Sequence, residues 1–143
     1  MHTITDYLSQ YHQHCDNLFA EAENAATKND LDAAKAGFGA FRDSMEHHLG
    51  TEETILFPAF EQATGSAMGP TRVMRMEHAQ MRELFAQMQA ALDASDTQTY
   101  AGLSETLLVL MQQHNFKEEQ MLYPMADRAV PDRDALIQKM EAQ

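Results

Sequence analysis

The stretch His48-Leu-Gly-Thr-Glu52-Glu53-Thr-Ile-Leu56-Phe57-Pro58 returns 66 positions later as His114-Asn-Phe-Lys-Glu118-Glu119-Gln-Met-Leu122-Tyr123-Pro124. The same offset carries His12 onto His78 and Leu18-Phe19-Ala20 onto Leu84-Phe85-Ala86, with no insertion between the anchors. A fixed-period self-match marks structural units, each of which must bury its apolar face against its partner. Two units predict a closed domain and not a solenoid. The expected organisation is one domain over residues 1–143, with halves at about 3–65 and 69–131.

Outward from the repeat, apolar residues recur at spacings of three and four, the period of a helix with one buried face. No strand pattern appears. Thr3-x-x-Asp6 resembles a capping box and opens a first helix with Ile4, Leu8, Cys15, Leu18, Phe19 and Ala22 on its stripe. Asp30 reads as the N-cap of a second, which carries Phe38, Phe41, Met45, His48, Glu52, Ile55 and Ala59 and ends at Gly65. Pro70 suits the first position of a third helix bearing Met74, His78, Met81, Phe85, Met88 and Leu92. Asp96, the repeat partner of Asp30, caps a fourth with Tyr100, Leu103, Leu107, Leu110, Met111, His114, Glu118, Met121 and Met125. Pro58 and Pro124 should kink or end helices 2 and 4, since proline lacks the amide hydrogen. A short fifth helix follows Pro131, with Leu136, Ile137 and Met140 inward. The fold class is therefore all-α: an up-down-up-down four-helix bundle with an internal pseudo-two-fold repeat and a short C-terminal helix.

The net charge of −12 argues against nucleic acid or an anionic membrane as partner, because both require a basic patch. One cysteine, Cys15, forms no internal disulfide and no thiolate zinc site. The longest apolar run, Leu107 to Met111, is too short to span a bilayer, and the first residues lack the pattern of a secretory leader. A cytoplasmic location is expected.

His-x-x-x-Glu on a helix places imidazole and carboxylate on one face, a turn apart. Two such helices, with one histidine from each of the other two, bring His12, His48, Glu52, His78, His114 and Glu118 together in the core. Nitrogen and carboxylate donors without thiolate suit iron, manganese or zinc better than calcium or magnesium. Burying this set without a metal would leave uncompensated charge and polarity. His14 is the rival of His12, but the offset places it on Gln80, about 200° around the helix from the stripe at roughly 100° per residue. His47 falls with Asp43, Ser44 and Thr51 on a polar face, and His2 belongs to the terminus. Glu53 and Glu119 read as solvated charges in preference to acceptors behind the ligands or alternative bridging carboxylates. Tyr11, Tyr100 and Tyr123 read as packing with satisfied hydroxyls in preference to electron shuttles near the metals, and the eleven methionines as gap-filling core in preference to soft-metal ligands.

His12 followed by Cys15-Asp16, His48-x-x-x-Glu52 with its trailing Leu-Phe-Pro, Glu77-His78, and His114-x-x-x-Glu118 with its trailing Leu-Tyr-Pro make the chain resemble the hemerythrin-like family, or HHE cation-binding domain, over about residues 3–130. The resemblance implies a four-helix bundle holding a non-haem di-iron centre, with His12, His48, Glu52, His78, His114 and Glu118 as ligands. It implies two iron ions with an oxo or hydroxo bridge, manganese or zinc being alternatives. Oxygen-carrying members have a further histidine one turn from the helix-3 ligand, where this chain has Met74 and Arg82 around His78. The expected function accordingly moves from oxygen transport to binding of dioxygen, peroxide or nitric oxide at an open metal position, for sensing, storage or redox defence. The cysteine-bearing N-terminal domain of iron–sulfur repair relatives does not occur in the sequence, which turns the expectation away from direct repair. Alternatives are a di-iron peroxidase or nitric-oxide-consuming oxidoreductase, and an iron-storage or structural metal-binding protein. Binding is favoured over catalysis, because turnover needs an electron-donor protein: no flavin, haem or iron–sulfur motif is present.

Overall fold

The computed structural model describes residues 3–143, so His2 lies outside the described residues. The helices are α1 (Ile4–Thr27), α2 (Leu31–Thr51), α3 (Phe57–Thr64), α4 (Pro70–Asp93), α5 (Thr97–Lys117), α6 (Tyr123–Ala129) and α7 (Arg133–Glu141). A π-helical turn, Glu52–Leu56, joins α2 to α3, and another, Glu118–Leu122, joins α5 to α6. Four long rods result, and they form an all-α bundle in which α1 packs on α2 and α5, and α4 packs on the same two. Among the described residues no helix is long and apolar enough to cross a membrane.

Local chemistry sets the ends of the rods. Thr3, Asp30, Asp96 and Asp132 each accept a hydrogen bond from the amide three residues on, a contribution of about 1 kcal/mol per cap. Gly65 closes α3 at φ 73, a left-handed conformation that glycine adopts without a Cβ penalty. The offset of 66 extends to the loops: Asn29 and Ser95 sit at φ 58 and 57, each directly before its capping aspartate.

Of the two outcomes expected at Pro58 and Pro124, a kink or an end, the end does not occur: the helices run on to Thr64 and Ala129. The π turns come just before them, and the amides of Phe57 and Tyr123 reach back five residues to the carbonyls of Glu52 and Glu118. The wider turn absorbs a residue that has no amide hydrogen and whose ring would crowd the carbonyl four residues back. Met121, placed on the buried stripe, is 55% exposed, whereas Ile55 at the same repeat position is buried. The reason is α7: it packs on the first π turn, where Leu136, Ile137 and Met140 join Ile55, Leu56 and Phe57 in one apolar cluster.

That cluster fills one end of the bundle. A second, with Cys15, Phe19, Phe38, Phe41, Met81, Phe85 and Tyr100, fills the other. Each long rod passes from one to the other through a polar residue: His12 lies between Leu8 and Cys15, and His78 between Met74 and Met81. Six polar side chains are thereby held between two dry plugs.

Candidate metal centre

All six residues singled out in the sequence converge, and all are buried: His12 on α1, His48 at the end of α2, Glu52 opening the first π turn, His78 on α4, His114 near the end of α5 and Glu118 opening the second π turn. The imidazole Nε2 atoms face the carboxylates. His12 Nε2 is 3.0 Å and His114 Nε2 3.3 Å from Glu118 Oε1, while His78 Nε2 is 3.2 Å and His48 Nε2 3.6 Å from Glu52 Oε1. Two donor groups result, each with its atoms within 4.8 Å of one another: Glu52, His78, His114 and Glu118, and then His12, His48 and Glu118. Either could hold a metal ion, and Glu118 belongs to both.

The carboxylates behind the imidazoles explain why Nε2 points inward. His12 Nδ1–H donates to Glu119 (2.6 Å), His78 Nδ1–H to Glu53 (2.8 Å) and His114 Nδ1–H to Glu77 (2.8 Å). An ionised carboxylate only accepts, so Nδ1 carries the hydrogen and Nε2 keeps its lone pair for the centre. Glu53 and Glu119 are therefore not merely solvated charges, which corrects their reading from the sequence. Glu77 was not given this task there; it adjoins His78 in sequence but serves His114 on the neighbouring helix, a relation without a spacing signal. His48 Nδ1 has no hydrogen-bond partner among the described residues. At the repeat position of Glu77 stands Tyr11, whose ring centre is 5.6 Å from that of His48.

The fit to a cation rests on atoms left without partners. His48 Nε2, His78 Nε2, His114 Nε2, Glu52 Oε1 and Glu118 Oε2 are buried and accept or donate no hydrogen bond among the described residues. Each such atom costs about 1–3 kcal/mol if left uncompensated. Five of them, divided between two donor groups that share Glu118, describe a receptacle for positive charge. A model of the hemerythrin HHE cation-binding domain matches residues 3–126. The chain belongs to that family. A protein named as the iron-sulfur cluster repair protein YtfE, from Edwardsiella ictaluri (strain 93-146), is 30% identical over 138 residues, which takes in 83% of this chain and 62% of that protein. The chain thus spans less than two thirds of the relative's length. No solved structure gives a significant match.

Within this cluster the two repeats also differ at Phe57 and Tyr123. Tyr123 donates its hydroxyl hydrogen to Glu52 Oε2 (2.6 Å), with Glu118 Oε1 at 2.9 Å and His12 Nε2 at 3.1 Å. Tyr123 is therefore part of the cluster and not simple packing, the role expected from the sequence. Its repeat partner is Phe57, whose ring lies against His78. Tyr100 does pack, edge-on to Phe38 in the far cluster. His14 and His47 are exposed, as expected, but Thr51 is buried and donates to the His47 carbonyl, so that turn's polar face is narrower than the sequence suggested.

Replacing His12 with alanine is expected to remove a donor from the three-member group and lower metal occupancy, while His14→Ala leaves it nearly intact. Metal analysis of the two purified variants checks this. Loss of metal in His14→Ala with retention in His12→Ala would refute the placement of α1.

Burial drives the titration of the centre, and neighbours then divide it. Burial, reinforced by the charge on Glu118, pushes Glu52 well above the usual carboxylate range. Burial would also raise Glu118, but His114 and the hydrogen bonds around it hold Glu118 well below. Burial lowers His48 to about 3. For His114 burial acts downward and is outweighed by Glu118 and Glu77, which raise it to about 9. The metal-free site at neutral pH therefore holds a proton on His114 that a cation must displace. A group whose value is raised keeps its proton until the pH passes that value. Affinity for zinc should consequently climb as the pH rises toward about 9, by roughly tenfold per pH unit for the proton on His114. Competition with a chelator of known pH dependence measures it, and a flat profile over that range would contradict the assignment.

Proposed function

We propose that the chain holds two iron ions at His12, His48, Glu52, His78, His114 and Glu118 and binds dioxygen, peroxide or nitric oxide there, for sensing, storage or redox defence. The observation that carries the reading is the set of five unpartnered buried donor atoms, divided between two groups that share Glu118. Nitrogen and carboxylate donors without thiolate suit iron, with manganese or zinc as substitutes. Bound iron would supply a redox couple and an exchangeable coordination position. The chain supplies the rest. Glu53, Glu77 and Glu119 orient three imidazoles, the two apolar clusters exclude bulk water, and the Tyr123 hydroxyl holds Glu52 by a hydrogen bond inside the site.

The likeness to a protein named for iron–sulfur cluster repair supports placing this use in redox defence. The use belongs in the cytoplasm, where the lone, buried Cys15 stays a thiol. Catalytic turnover would require an electron-donor protein. Iron-loaded protein is expected to contain about two irons per chain, separated by about 3.5–4 Å as in other two-metal sites. Its visible spectrum should change on addition of azide, peroxide or nitric oxide. One iron per chain, or a spectrum unmoved by all three, would refute the reading.

A further inference from the structure

The offset of 66 also aligns the outer surfaces of α2 and α5, and these do not match. Residues 40–50 on α2 include Arg42, Asp43 and Glu46, the charges of a solvated face. The same stretch of α5, residues 106–116, has no Asp, Glu, Lys or Arg: Asp43 gives way to Val109, Glu46 to Gln112 and Gly50 to Phe116. The charged residues that follow are engaged elsewhere, Lys117 with Glu77, Glu118 among the donors and Glu119 with His12. Val109 and Phe116 are 53% and 64% exposed. Each stands two residues from a buried one, Leu107 or His114, and so about 200° around the helix from the core at roughly 100° per residue. α5 is therefore apolar on two opposite sides, and a helix of that kind is normally covered on both. On α4, which packs on α5, Val73 and Met76 are exposed as well.

An exposed apolar stripe marks a contact surface, and charge selects its occupant. A basic partner would be drawn to the acidic faces of a chain with net charge −12, whereas two copies of that chain repel everywhere except where charge is absent. The spacing is self-complementary too. With two α5 rods antiparallel and a two-fold axis between Gln112 and Gln113, Val109 of one copy lies opposite Phe116 of the other, and the reverse holds across the axis. The carboxamides at the axis each carry donors and an acceptor, so they are able to bond to their own copies. We propose that the chain forms a reversible two-fold dimer through the outer face of α5, with Val109 and Phe116 packed against each other across the axis.

A contact confined to one helix face is smaller than the roughly 800 Å² per partner of a standard complex. A dissociation constant on the order of 10–100 µM is therefore expected. Sedimentation equilibrium of the full chain across that range checks it, the mass rising from monomer to dimer. Phe116→Glu should weaken association by at least about 100-fold, because a two-fold axis counts each substitution twice. Adding Val109→Lys to that variant should restore the dimer, since each new glutamate then faces the new lysine of the other copy. Adding Asp43→Lys instead, at the repeat position of Val109, should not restore it. These positions are solvent-accessible, so circular dichroism should show every variant folded. A wild-type chain that stays monomeric up to about 1 mM would overturn the proposal and leave the stripe to a helix of another protein. A dimer that survives Phe116→Glu would overturn the α5 face, and a Phe116→Glu/Val109→Lys chain that stays monomeric would overturn the antiparallel pairing. None of these outcomes bears on the two-iron reading.

Discussion

Stripping the metal from loaded protein is expected to lower its melting temperature by about 10 °C. The figure follows from binding linkage: a cation present at about 100 to 1,000 times its dissociation constant stabilises the native state by roughly 2.7–4.1 kcal/mol. For a chain of this length each kcal/mol moves the midpoint by about 2–4 °C. The physical source is the row of buried atoms that have no hydrogen-bond partner among the described residues, His48 Nε2, His78 Nε2, His114 Nε2, Glu52 Oε1 and Glu118 Oε2. Without a cation they retain the cost of lost hydration. Scanning calorimetry before and after chelation, with metal loss confirmed, checks this. Equal midpoints would show that the two apolar clusters alone set the stability.

Glu118→Ala should have the largest effect of any single substitution on metal content, because Glu118 is the one residue common to both donor groups. His12→Ala is expected to damage only the three-member group. Glu118→Ala should weaken both positions by at least about 100-fold, the upper range seen when even a residue behind a ligand is lost. Metal analysis and circular dichroism on the same sample separate loss of metal from loss of fold. A variant that stays helical and still takes up two ions would show that Glu118 is not shared.

The six inward-facing donors were legible because both facts needed to find them are linear. Helical period puts His48 with Glu52 and His114 with Glu118, and the offset selects His12 over His14. Caps were legible for the same reason, since Asp30 and Asp96 act on amides three residues away. Relations between rods were not. Glu77 serves a histidine 37 residues away on another helix, and Glu119 one 107 residues away. Nothing in their local sequence distinguishes them from solvated charge.

By itself the sequence determined an all-α bundle, its repeat and the identities of the converging side chains, since periodicity, capping and self-similarity operate within a few residues or at one constant offset. Only the tertiary structure decided how those side chains are divided. It assigns Glu118 to both groups, puts the Tyr123 hydroxyl among the donors, leaves Met121 exposed where α7 covers Ile55, and sets Arg82 and Lys117 behind one pair of imidazoles. Each of these depends on which rods become neighbours, because hydrogen bonds and charge pairs act over a few ångströms of space and not along the chain.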